Sequence, residues 1–145
     1  SALELVSRTE AETRLREIAD RLDALSRDAT NRVRGAGLRG VAVIASVRQR
    51  DFCEWLGLDV VATFSAADAA GIGEIEQAIA AGKLASVKLV IANLPEGRRT
   101  ADALAERLEA GVIVFENFPL VRNGRVSFDA MLEANVDALA RAALP

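Results

Sequence analysis

The stretch VAVIASVRQRDFCEWLGLDVVATF, residues 41–64, runs from an apolar segment through a polar break at Ser46–Asp51 into a short amphipathic segment and a second apolar segment. The order strand, polar turn, helix, strand is that of a unit in a parallel sheet, whose strands are covered on both faces and therefore read as near-continuous apolar runs. Ligands of open α/β sheets gather outside the carboxyl ends of the strands. Ser46 and Arg48 stand at such an end.

Working outward, three further apolar, β-branched runs are expected as strands: Asp59–Phe64, which closes the quoted stretch, Val87–Ala92 and Val112–Phe115. With Val41–Ala45 they make four, separated by helical patterns at Asp51–Leu56, Ile72–Ala81 and Thr100–Leu108. The expectation is an α/β fold, a four-stranded parallel sheet with helices on both faces. Arg122–Arg125, containing Asn-Gly, reads as a turn, and Phe128, Met131, Leu132, Asn135, Val136 and Leu139 mark a closing helix with Ser127 as its N-cap.

Before the sheet, Leu15, Ile18, Leu22, Leu25, Ala29 and Val33 recur at spacings of three and four with no glycine or proline until Gly35. One long amphipathic helix is expected from about Leu5 to Arg34, roughly 45 Å at ~1.5 Å per residue. That is longer than this domain requires, so the helix should overhang. Residues 1–35 are read as this helix and 36–145 as the α/β domain. Gly35-Ala36-Gly37-Leu38-Arg39-Gly40 spells G-x-G-x-x-G but lies between helix and strand, the reverse of the order that presents phosphate to a helix N-terminus, and reads as a helix stop.

Composition narrows the chemistry. The 145 residues hold 51% hydrophobic and 27% charged residues at a formal net charge of −3, which suits one globular core and gives no basic field for nucleic acid. No apolar run reaches the ~18 residues of a membrane span. With no histidine, no tyrosine and a single cysteine, histidine triads, cysteine zinc sites and an internal disulfide are excluded, and no nucleophile–base pair can be assembled from those residues. The protein is expected not to be an enzyme. Cys53, on the helix with Phe52 and Leu56, is read as a small core residue, and Trp55 as packing.

The strand ends collect Ser46 with Arg48 and Gln49, Ser65 with Asp68, Asn93 with Glu96, and Glu116 with Asn117 on one rim. Arg48 could hold an anion through its guanidinium, whereas Arg50, Arg98 and Arg99 are read as solvated. Glu116 could take a cation, and an Arg48–Glu116 ion pair is the alternative occupant of the same space. The ligand-binding set expected is Ser46, Arg48, Asn93, Glu116 and Asn117.

The succession of the long helix AETRLREIADRLDALSRD, DFCEWLGLDVVATF, VKLVIANLPEGRRTADALAERLEAGVIVFENFP and FDAMLEANVDALARAAL resembles the C-terminal lobe of the zinc and manganese receptors of ABC importers, over essentially the whole chain. The resemblance implies an extracytoplasmic, periplasmic-type solute-binding component whose long helix is a backbone between two lobes. It implies partners as well: an N-terminal lobe outside this fragment, a transporter permease and a small solute or metal ion. The lobe's two metal ligands, a histidine after the first strand and a carboxylate after the last, fall on Ser46 and Glu116. Only Glu116 matches, so no cofactor is certain, zinc or manganese could be held only in the full-length protein, and a degenerate site or another cargo is implied. The competing expectation is a stand-alone flavodoxin-like domain that docks a partner through the long helix.

Overall fold

A computed structural model describes residues 2–143, so Ser1, Leu144 and Pro145, the outermost residues of the expected domain limits, lie outside the described part. Helix α1 (Ala2–Gly35) leads into β1 (Ala42–Ser46), α2 (Arg50–Trp55), β2 (Asp59–Phe64), α3 (Ile72–Leu84) and β3 (Leu89–Asn93). A single 3-10 turn (Leu94–Glu96) and α4 (Arg99–Leu108) precede β4 (Gly111–Phe115), after which β5 (Leu120–Arg122), β6 (Arg125–Ser127) and α5 (Phe128–Ala142) complete the chain. Strands β1–β4 form one sheet in the order β2-β1-β3-β4 with every pairing parallel. The expected α/β sheet is present, and its strand ends fall within two residues of those read from the apolar runs.

Alternation along each strand divides the core in two. Val43 and Ala45 of β1, Leu89 and Ile91 of β3, and Ile113 and Phe115 of β4 face Ala29 and Val33 of α1, Cys53 and Leu56 around α2, and Leu132, Val136 and Leu139 of α5. Ile44, Val90 and Ala92 turn to the opposite face, against Ala78 and Ile79 of α3 and Ala101, Leu104, Ala105 and Leu108 of α4. The period of two therefore fills both faces, as a parallel sheet between helices requires. Gly82 of α3 lets this packing close: a Cβ there would stand 2.7 Å from Leu108 Cδ1 and 2.9 Å from Ile44 Cδ1.

Two segments differ from the sequence expectation. Arg122–Arg125 is the tip of an antiparallel hairpin, β5 with β6, in which Leu120 pairs with Ser127 and Val121 with Val126. Its strands have three residues each, too short for alternation to register, and Asn123 and Gly124 carry the φ values of +51° and +73° that an Asn-Gly hairpin turn demands. The second difference is at α1, which begins three residues earlier than expected. Its C-terminal third joins the core and is tied to α5 by an Arg32–Asp137 ion pair, while Leu15, Ile18 and Leu22 are 66%, 48% and 41% exposed. The stripe thus continues beyond the sheet that it serves. Below it, Leu22, Leu25, Phe52, Trp55, Phe128 and Leu132 line an apolar groove of about 350 Å³ between α1, α2 and α5.

Candidate functional site

The strand order reverses between β1 and β3: the chain passes from β1 outward to β2, then returns through α3 to β3 and moves outward the other way to β4. Loops leaving two neighbouring strands in opposite directions leave a crevice at their carboxyl ends, the usual ligand position of such sheets. Here the ends are Ser46 and Asn93, both buried polar residues.

Four polar side chains are buried in the described core, Ser46, Gln49, Asn93 and Asn135, and all belong to this edge. Ser46 Oγ donates to Glu96 Oε2 at 2.7 Å and accepts the Arg48 backbone N–H at 3.2 Å. Gln49 Nε2 donates to Asn93 Oδ1 at 2.9 Å and reaches the Glu116 carbonyl at 3.5 Å. Asn135, on the core-facing side of α5, accepts the Glu116 N–H at 2.7 Å and donates to the Glu116 carbonyl at 3.0 Å. The ends of β1, β3 and β4 are thereby laced together through amide groups, with the Glu116 peptide as the common anchor.

Of the expected residues, the structure brings Ser46, Asn93 and Glu116 together through this network and places Arg48 and Asn117 at the same edge with exposed side chains. An Arg48–Glu116 ion pair is not formed. Arg48 Nε instead lies 3.7 Å from Glu96 Oε1, with the arginine side chain 70% and the glutamate 18% exposed, so the attraction is weak and screened. The turn at Leu94–Glu96 swings Glu96 back over Ser46, which spacing along the strand does not reveal. The Glu116 carboxylate has no hydrogen-bond or ion-pair partner among the described residues. The rim is also narrower than expected, since Ser65 is tied to α3, its N–H and Oγ both donating to Glu74 Oε1 at 2.9 and 2.8 Å. Gln49 and Glu96 are integral to the edge although neither stood in the expected binding set. Asn135 was legible only as one polar residue on an apolar helix face.

Metal chemistry finds a poor donor set here. Among the described residues no three His, Cys, Asp or Glu side chains converge as a metal site. Ser46, at the end of β1, has its hydroxyl committed to Glu96, and a hydroxyl is a poor zinc ligand. Of the two carboxylates at this edge, Glu96 is engaged by Ser46 and Arg48, which leaves Glu116 as the one without a partner among the described residues. Cys53 is fully buried, and burial, aided by the charge of Glu54, pushes its thiol up to about 12. The native thiol should therefore resist Ellman's reagent at pH 8 and react only after denaturation. A raised folded pKa also places its stabilising contribution below the unfolded value of about 8.5, to be lost as pH rises toward 12. Rapid native labelling would contradict this environment.

No protein-family model and no curated protein sequence matches the chain. Solved structures do. A manganese-bound periplasmic metal-binding protein from Candidatus Liberibacter asiaticus superimposes with a TM-score of 0.71 at 11% identity, covering 89% of this chain and 50% of that one. The laminin-binding protein Lbp of Streptococcus pyogenes gives 0.68 at 16% identity over 86% of this chain and 50% of its own. A mutant of the laminin-binding adhesin Lmb from Streptococcus agalactiae gives 0.66 at 15% identity, covering 86% and 48%. The chain spans about half the length of these structures. Its fold is the one that these structures share over about half of their length.

Proposed function

We propose that this chain is the C-terminal lobe of a divergent, non-catalytic solute-binding receptor of an ABC importer, working outside the cytoplasm. The observation that carries the reading is the buried polar network at the switch point between β1 and β3, on a fold shared with binding proteins. Buried polar groups that tie three strand ends together hold a binding surface still without forming reactive pairs. A solute would meet Ser46, Arg48, Asn93, Glu116 and Asn117 and be enclosed from the other side by a second lobe. The exposed stripe Leu15, Ile18 and Leu22 supports the same reading, because a second lobe leaning on α1 would cover it. A transporter permease is then the partner of the assembled receptor.

Two measurements test the proposal. The reading frame upstream of this chain is expected to encode a signal peptide and a further lobe of roughly 130 residues. Calorimetric titration of the full-length protein with zinc and manganese is expected to give no tight saturable heat, since the first-strand position holds Ser46. Tight metal binding that Glu116→Ala abolishes would instead establish a retained metal site and overturn the divergent reading.

A further inference from the structure

The amide network has an orientation that can be read off the backbone. Gln49 Nε2 donates to Asn93 Oδ1 at 2.9 Å and stands 3.5 Å from the Glu116 carbonyl, which can only accept, so the surroundings favour this orientation of the two amides. The remaining polar atoms are then fixed: Gln49 keeps Oε1, an acceptor, and Asn93 keeps Nδ2, a donor. Neither has a hydrogen-bond partner among the described residues, although both residues are only 2% exposed. Every fully buried side-chain N or O among the described residues is satisfied, so these two atoms retain access to solvent. An acceptor and a donor, each on a side chain locked in place from behind, thus keep a narrow contact with solvent at the switch point.

We infer that the crevice is built for a small organic solute that itself carries a donor and an acceptor on neighbouring atoms, a primary amide or a group of like pattern, and not for a bare metal ion. The inference rests on the crevice being the binding surface. A cation is coordinated by lone pairs alone, and the Asn93 N–H group opposes it, whereas an amide satisfies both open atoms at once. Amide recognition also rejects analogues that leave one polar atom unpaired.

Side-chain and backbone amide NMR spectra of the full-length protein, with both lobes present, test this, with acetamide, N,N-dimethylacetamide and manganese chloride as probes. Acetamide is expected to shift the Gln49 and Asn93 side-chain signals in a saturable manner. Dimethylacetamide, which cannot donate to Gln49 Oε1, should bind about tenfold or more weakly. Asn93→Asp keeps an inward oxygen but replaces the open donor by an acceptor; it should lose the acetamide response and gain manganese-induced broadening at residues 93 and 116. Equal responses to the two amides would overturn the donor–acceptor assignment. Saturable manganese broadening of the unmodified crevice would overturn it in favour of metal. Silence toward every probe would overturn both it and the use of this edge for binding. If Asn93→Asp does not fold, the contrast between the two amides decides.

Discussion

Phe115→Ala is expected to lower the unfolding free energy by about 3–5 kcal/mol, a large part of the ~5–15 kcal/mol typical of a domain. Phe115 is the last residue of β4, is fully buried, and meets the Phe52 ring edge-on with centroids 5.5 Å apart. Phe52 stacks in turn on Trp55 at 5.8 Å. Removing the Phe115 ring therefore opens a cavity between the sheet and α2, which has only six residues and cannot collapse into it without losing its own seat on the core. Urea unfolding followed by Trp55 fluorescence provides the measurement, with the midpoint falling and the slope unchanged. Phe115→Leu should cost less than about 2 kcal/mol, because most of the volume remains. A loss below about 1 kcal/mol for the alanine variant would mean that β4 does not pack as described.

The same residue illustrates what the sequence makes legible. VIVF, residues 112–115, reads as a buried strand because both faces are apolar, and the strand is there, one residue longer at its start. The long helix, the helix stop at Gly35 and the Ser127 cap, whose Oγ accepts the Ala130 N–H at 3.1 Å, follow from spacing and local hydrogen-bond chemistry in the same way. Local rules suffice where the determinant lies within a few residues.

The polar edge at the strand ends is legible in the sequence but its contacts are not, because they join residues far apart in the chain. Gln49 meets Asn93 across 44 positions, Ser46 meets Glu96 across 50, and Glu116 meets Asn135 across 19. Nothing in the spacing of Arg48 and Glu116 distinguishes the alternative of their ion pair from the Arg48–Glu96 approach that forms; the turn geometry after β3 decides it. The hairpin escaped notice for another reason: Val121 and Val126 are exposed, so no apolar face exists to mark its strands.

The strongest test of that long-range network is Asn135. Asn135→Leu fills a similar volume but leaves the Glu116 N–H without its acceptor, while the Glu116 carbonyl retains only the long contact from Gln49. A buried donor stripped of its partner costs about 1–3 kcal/mol, which should appear as a lower urea midpoint and faster hydrogen exchange at Glu116. Asn135→Asp separates this from simple loss of packing. Its ionised carboxylate can accept from the Glu116 N–H, yet its second oxygen would face the Glu116 carbonyl in place of an N–H. Protonated, it donates there and reproduces the asparagine. Burial and that hydrogen bond both favour the neutral form, so the folded pKa of the new aspartate should lie above its unfolded value of about 3.9. The sign follows: the stabilising contribution is complete below the unfolded value and is lost as pH rises through the folded one. Relative to the parent chain, Asn135→Asp should approach full stability near pH 4 and fall behind at pH 8, whereas Asn135→Leu should trail by the same amount at both. Urea midpoints at the two pH values measure the difference, and a pH-independent deficit for the aspartate variant would mean that Asn135 does not hold the Glu116 peptide from both sides.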